Sequence, residues 1–182
     1  MKNVIITGAG KGIGFALTEE FLKKGHKVVA ISRNIARLEE LKVVSEHLYI
    51  INEDINQIQN VVNTIGSYIT SVDILINNAG AFLKKPFQEI TLPEMEMVYR
   101  TNVFAPLLLV GALKSKLSDG AHIINIGSMG GVGGSQKFPG LSVYSSSKGA
   151  LAILTECLQT ELKGQNVTIN CLALGAVNTE ML

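Results

Sequence analysis

The chain has no tryptophan and only four prolines, three histidines and two cysteines in 182 residues. Two cysteines cannot build a disulfide framework. Cys157 and Cys171 also lack CxxC or metal-type spacing, so both read as buried core thiols in a reducing compartment. His26, His47 and His122 lie apart at strand starts and form no metal set with cysteines or carboxylates. Neither sign of charge prevails, because sixteen basic residues oppose fifteen acidic ones for a formal net charge of +1. With no basic stripe interleaved with aromatics, that balance argues against a nucleic-acid partner. Glu39-Glu40 and Glu94-x-Glu96 read as solvated helix faces, and no carboxylate pair suggests acid/base hydrolysis. Long apolar runs are missing too. The longest nearly apolar stretch, Val103 to Leu113, contains Pro106 and Gly111. It falls well short of the roughly 20 residues a membrane span needs. Met1-Lys2-Asn3 leads straight into Val4-Ile5-Ile6, with no apolar stretch ending at a cleavage site. The expectation is a soluble cytoplasmic protein without nucleic-acid or membrane partners.

What is present is a core. Hydrophobic residues make up 47% of the chain, enough for one folded domain over 1–182. Short β-branched runs alternate with helical patterns. Strands are predicted at Val4–Ile6, Lys27–Ile31, Leu48–Ile51, Asp73–Ile76, His122–Ile126 and Val167–Leu172. Helices are predicted at Ile13–Lys24, Ile35–Leu41, Ile55–Ile69, Leu92–Arg100, Asn102–Leu117 and Val143–Leu162. The strands are apolar throughout, which suits strands covered on both faces. Repeated strand-helix-strand units require right-handed crossovers. The predicted class is therefore α/β: a three-layer, doubly wound parallel sheet of at least six strands with helices on both faces.

The first strand runs into Thr7-Gly8-Ala9-Gly10-Lys11-Gly12-Ile13-Gly14. Glycines there permit a tight turn and a close backbone approach to a pyrophosphate, while the next helix presents its N-terminus to that anion. The second strand ends in Ser32-Arg33-Asn34, without the acidic residue that would read a free ribose 2′-hydroxyl. Arg33 and Lys11 instead offer two cations to a 2′-phosphate, which favours NADP(H) over NAD(H). Asp54-Ile55, after the third strand, has two readings: Asp54 holds an adenine, or it caps the helix that begins there.

A second group carries chemistry. Tyr144 and Lys148 are four residues apart on one helix, so phenol and ammonium address one site. An ammonium nearby favours the phenolate and lowers the phenol's pKa from near 10, which suits Tyr144 to general acid/base work. Ser128 follows the fifth strand, and Asn102 opens the long apolar helix. Asn77-Asn78-Ala79-Gly80 closes the fourth strand. All converge at the carboxyl ends of parallel strands, where open α/β sheets bind ligands.

Together these motifs resemble the short-chain dehydrogenase/reductase family in its ordinary, non-extended branch. The resemblance rests on Thr7-Gly8-x-x-x-Gly12-Ile13-Gly14, Asn77-Asn78-Ala79-Gly80, Asn102, Ser128, Tyr144 with Lys148, and the stretch Asn170 to Thr179. It implies a Rossmann-like sheet and hydride transfer between NADP(H) and a small carbonyl or alcohol substrate. Tyr144 would be the general acid or base. Lys148 would lower the Tyr144 pKa and bond the nicotinamide ribose. Ser128 would orient the substrate oxygen, and Asn102 would hold a relay water. Gly8, Gly12 and Gly14 would form the dinucleotide turn, with a backbone contact from Ile13. Asn78, Ala79 and Gly80 would line the adenosine-ribose side, while Val177 and Thr179 would meet the carboxamide. A non-catalytic dinucleotide-binding sensor is the alternative reading.

Three departures stand out. Leu174 occupies the place of a usual proline before Gly175, which would leave that loop looser or differently shaped. Met129 to Val143 is long and holds five glycines, as a mobile substrate lid would. The chain also stops at Leu182, where family members normally continue, so a truncated C-terminus is expected. Phe82, Leu83, Met129, Val132, Phe138 and Leu141 are the expected apolar pocket residues. Val103–Leu113 and Leu151–Leu158 are apolar almost all round, and such surplus predicts self-association into a homodimer or homotetramer.

Overall fold

The computed structural model describes residues 1–175, so Val177 and Thr179 lie outside the described residues. Six strands form one parallel sheet: β1 (Asn3–Thr7), β2 (Lys27–Ser32), β3 (Leu48–Asn52), β4 (Val72–Asn77), β5 (Leu117–Ile126) and β6 (Val167–Leu172). Their order is β3-β2-β1-β4-β5-β6. The continuous apolar runs divide by the period of two that a pleated strand imposes. Val4 and Ile6 of β1, with Val28 and Ala30 of β2, enter one core beside Phe15 and Leu38. Ile5, Val29 and Ile31 enter the other beside Val61, Ile65, Leu109 and Leu113. Helices α1 (Gly12–Lys23) and α2 (Ala36–Val43) cover the first face. Helices α3 (Ile58–Tyr68), α5 (Ala105–Leu113) and α6 (Ser142–Glu161) cover the second. This is the predicted doubly wound, three-layer arrangement. No helix among the described residues is long and apolar enough to cross a membrane.

Several boundaries differ from the sequence reading, each for a local reason. The third helix begins at Ile58, not Ile55. Asp54 first closes a turn, its Oδ1 accepting from the Asn56 N–H and its carbonyl from the Gln57 N–H, each at 2.9 Å. The long helix predicted from Asn102 is instead a continuation. Helix α4 (Leu92–Tyr99) runs through a π-helical turn at Arg100–Phe104 into α5. Its start is fixed by a capping box between Thr91 and Glu94. Lys114–Lys116 tighten into a 3-10 turn, and Leu117 already pairs with Val72, so β5 begins five residues before His122. The two thiols are also not both buried. Cys157 is exposed on α6, opposite the buried side defined by Leu151, Thr155 and Leu158, and Cys171 is only half-buried.

Candidate active site

The strand order reverses between β1 and β4, and a crevice opens there at the carboxyl ends of the strands. It is a cavity of about 1110 Å³. Gly8, Lys11, Gly12, Ile13, Arg33, Asp54, Ile55, Asn78, Ala79, Gly80, Ser128, Tyr144 and Lys148 all line it. Gly14 and Asn102 do not reach its wall and act from behind.

The glycine turn is shaped by backbone contact. Gly8 takes φ +66°, and a Cβ there would lie 2.8 Å from Ala79 Cα. A Cβ on Gly14 would lie 2.4 Å from the Gly8 carbonyl oxygen, and one on Gly10 would lie 2.1 Å from that of Asn34. No other residue type fits these places without moving the chain. No side chain caps the start of α1, and its first turn carries no acidic residue. The turn is tied to β4 by Thr7 and Asn78. Thr7 Oγ1 accepts the backbone N–H groups of Asn78 and Ala79 at 3.0 and 2.9 Å. Asn78 Nδ2 donates to the carbonyls of Thr7 and Gly8 at 3.0 and 3.1 Å. The Asn78 side chain is therefore a strut for the turn.

At the ends of β2 and β3, Arg33 Nη1 stands 3.8 Å from Asp54 Oδ2, with the Arg33 side chain largely exposed. The capping reading of Asp54 does not describe the geometry: it lines the cleft, closes a turn and faces Arg33, and the helix after it begins only at Ile58. Ile55 belongs to the larger core and presents its remaining surface to the cleft. Arg37, which sequence reasoning passed over, also lines this end, with its guanidinium carbon 3.9 Å from the centre of the Phe15 ring. Its place in the first turn of the helix that follows Arg33 is the signal that could have found it.

At the other end, Tyr144 and Lys148 enter from the first turns of α6, and Ser128 enters from the loop after β5. The Tyr144 phenol faces Ser128, and the Phe82 ring meets it edge-on at 5.0 Å between centroids. Lys148 is buried, and its Nζ donates to the Ile126 carbonyl at 2.7 Å. That Nζ lies 6.0 Å from the centre of the Tyr144 ring. Burial pushes the Tyr144 phenol above its ordinary value, against the opposing influence of the Ser128 hydroxyl. Burial also pulls the Lys148 ammonium down to about 8, an effect that neighbouring Cys171 opposes. The sequence reading expected Lys148 to lower the Tyr144 pKa. Here the ammonium is turned to the end of β5, and desolvation governs the phenol instead.

Asn102 is fully buried in the π turn. Its Oδ1 accepts from the Ala81 N–H at 2.7 Å, and its Nδ2 donates to the Ala81 carbonyl and to Ser147 Oγ at 3.0 and 2.9 Å. The side chain thus fastens the loop after β4 to α6, and its backbone carbonyl is a separate acceptor. In α geometry that carbonyl would bond the N–H four residues on, and residue 106 is a proline with none. A second buried chain was invisible in the sequence. Asn77 Nδ2 donates to Asn125 Oδ1, Asn125 Nδ2 to Thr155 Oγ1, and Thr155 Oγ1 to the Leu151 carbonyl, each at 2.8 Å. It links β4 through β5 to α6, the helix that carries Tyr144 and Lys148.

Phe82, Met129, Phe138 and Leu141 line the cleft as expected. Val132 lines only an adjoining cavity of about 970 Å³, and Leu83 lines neither. The glycine-rich segment is partly committed to packing: a Cβ on Gly131 would lie 2.6 Å from the Gly149 nitrogen of α6. Leu174 gives its loop a different bonding pattern from the one a proline would allow. Its N–H donates to the Leu172 carbonyl at 3.1 Å, a bond proline could not make, and its carbonyl accepts from Met129 at 2.8 Å.

The sequence matches the short chain dehydrogenase family over residues 2–182. The chain belongs to that family. It is 32% identical over 181 residues to the NADP-dependent 3-hydroxy acid dehydrogenase YdfG of Escherichia coli, covering 96% of this chain and 72% of that one. The fold superposes on NADPH-bound carbonyl reductase from chicken fatty liver with a TM-score of 0.93 and 28% identity, covering 100% of this chain and 82% of that one. It also superposes on 4-hydroxyisoleucine dehydrogenase complexed with NADH, with a TM-score of 0.86 and 29% identity, covering 100% and 78%. The chain spans from 56% to 76% of the length of the curated relatives it matches.

Proposed function

We propose that the chain binds NADP(H) and interconverts a carbonyl and an alcohol, with Tyr144 moving the proton. The carrying observation is the convergence of the Tyr144 phenol, the Ser128 hydroxyl and buried Lys148 in one cleft continuous with the glycine turn. The residues present fit a dinucleotide. Side chains are excluded where a pyrophosphate would approach the glycines, and the uncapped start of α1 faces the same space. Lys11, Arg33 and Arg37 supply positive charge where a 2′-phosphate would lie, which supports NADP(H) over NAD(H). The cofactor, when bound, supplies the hydride. Tyr144 gives its proton to the substrate oxygen in reduction and takes it in oxidation, while Ser128 orients that oxygen. Lys148, held near 8, exchanges protons close to neutral pH and passes them toward Tyr144. The Asn102 carbonyl holds the water that completes the relay. The expected roles of Val177 and Thr179 fall outside the described residues.

Exposed Phe104, Leu107 and Leu108 before and on α5, with Ile153 on α6, support pairing of two copies through these helices. The deciding experiment is a titration with NADPH and NADH followed by nicotinamide fluorescence, then a screen of carbonyl substrates for NADPH oxidation. Tighter NADPH binding and turnover are expected. Equal affinity for both would remove the 2′-phosphate reading, and binding without turnover would make the chain a sensor.

A further inference from the structure

We infer that the substrate is an oxo acid whose carboxylate is received by Lys84, at the junction of the catalytic cleft and the adjoining cavity. This rests on the carbonyl-reductase reading above and adds the substrate's charge to it.

Lys84 lines both spaces. It lies two residues beyond Phe82, the ring that meets Tyr144 edge-on. Its place is fixed at the backbone, where the next residue, Lys85, donates its N–H to the Gly140 carbonyl at 2.9 Å. Gly140 takes φ +81°, and a Cβ there would lie 3.3 Å from Lys84 Cγ. The stem of Lys84 therefore rests on a position that only glycine suits.

The other lysines nearby are already engaged. Lys85 Nζ is paired with Glu94 at 2.9 and 3.0 Å. Lys137 folds back on the Val132 carbonyl and Ser135 Oγ. Lys148 donates to Ile126. Lys84 has no hydrogen-bond or ion-pair partner among the described residues.

Charge around it has one sign. No described Asp or Glu lines the adjoining cavity. The carboxylates that line the main cleft, Glu53 and Asp54, belong to its β3 end beside Arg33. The adjoining cavity thus combines apolar walls, from Phe87, Val132, Phe138 and Leu141, with one uncommitted ammonium where it meets the catalytic cleft. Such a site takes an apolar body ending in an anion and gives a neutral analogue no charged partner.

The test uses acetoacetate and its ethyl ester, which present the same ketone with and without the charge. In each reduction the ketone carbon gains a hydride from NADPH and its oxygen gains the Tyr144 proton, giving the 3-hydroxy product and NADP+. Initial rates are measured for the native chain, Lys84→Gln and Lys84→Arg. The expected result is a native preference for the acid, seen as a higher kcat/KM. The acid-to-ester ratio should fall at least about tenfold in Lys84→Gln and return in Lys84→Arg, since a tenfold change is the loss of one modest charged contact. The KM for the acid, and not for the ester, should rise with ionic strength. An unchanged ratio in Lys84→Gln overturns the carboxylate site. Turnover of the ester alone also overturns it while leaving the reductase reading standing. Turnover of neither overturns both.

Discussion

At the β1 end the cleft is shaped by backbone meeting backbone; at the β5 end it is held by buried side-chain hydrogen bonds. The first end depends on the absence of a Cβ at Gly8, Gly10 and Gly14. The second depends on amides and hydroxyls that find one another across long stretches of chain: Asn77 with Asn125 over 48 residues, Asn102 with Ser147 over 45 and Asn125 with Thr155 over 30. A glycine turn tolerates almost any neighbours but no substituent. A buried polar chain tolerates no missing partner, because an orphaned donor or acceptor cannot return to water. The two ends should therefore fail in different ways.

The sharpest separation is expected from Tyr144→Phe. It removes the proton donor and keeps the ring against Phe82, so kcat/KM should fall by about 10² to 10⁴. NADPH affinity, read by fluorescence titration, should stay within a few-fold. A native-like rate in that variant would take the proton transfer away from Tyr144.

Next in size is a pH effect on stability. Lys148 has a folded-state pKa of about 8 against an ordinary 10.5. Between those values the unfolded chain holds a proton that the folded chain has released. Unfolding free energy should therefore rise with pH from about 8 toward 10, by about 3 kcal/mol at most. Below 8 both states are charged and the burial penalty is present in full. Cys171 and Tyr144, both pushed upward by burial, act in the opposite sense above their ordinary values near 9 and 10, so the rise is blunted from about 9 and the window closes near 10. Urea unfolding at a series of pH values checks this, and Lys148→Met should flatten the rise.

Asn125→Leu should cost about 2–3 kcal/mol in urea unfolding, on the scale of orphaned buried polar groups. It leaves Asn77 Nδ2 without its acceptor and Thr155 Oγ1 without its donor. Because Thr155 lies on α6, catalysis should weaken along with stability. Gly10→Ala should be the most local change. Its methyl meets the Asn34 carbonyl and Ser32 Oγ, so the turn itself must move, and NADPH binding should weaken by at least about tenfold, roughly 1.4 kcal/mol, while kcat at saturation stays closer to native than in Asn125→Leu. If Gly10→Ala lowered kcat at saturating NADPH as far as Asn125→Leu does, the contrast between the two ends would collapse.

The same contrast explains what was legible in the sequence. Strand and helix order follows from apolar periodicity, and the glycine turn follows from spacing, because both are local signals. Tyr144 and Lys148 are likewise one helical turn apart. The Asn125–Thr155 link has no local signature, since either residue alone passes for an ordinary polar position. Arg37 was missed because its role comes from stacking on Phe15 and from where α2 begins. The Tyr144 pKa was misjudged because sequence spacing places an ammonium nearby without saying which way it turns or how much water is excluded. The capping role given to Asp54 failed for a similar reason: a carboxylate near a helix start can close its own turn first.

The π turn at Arg100–Phe104 also restricts how the sequence can change length. It winds one residue more per turn than an α-helix, so the side chains after it are out of phase with those before it. Deleting any one residue between 100 and 104 would let the helix from Leu92 to Leu113 close into regular α geometry. The residue lost would be the extra one that the wider turn takes up, so Leu109 and Leu113 would keep their places in the core. What would change is the turn itself, where the Asn102 amide ties the loop at Ala81 to Ser147. A deletion there would spare the packing of the helix and strike the side chain that braces the cleft.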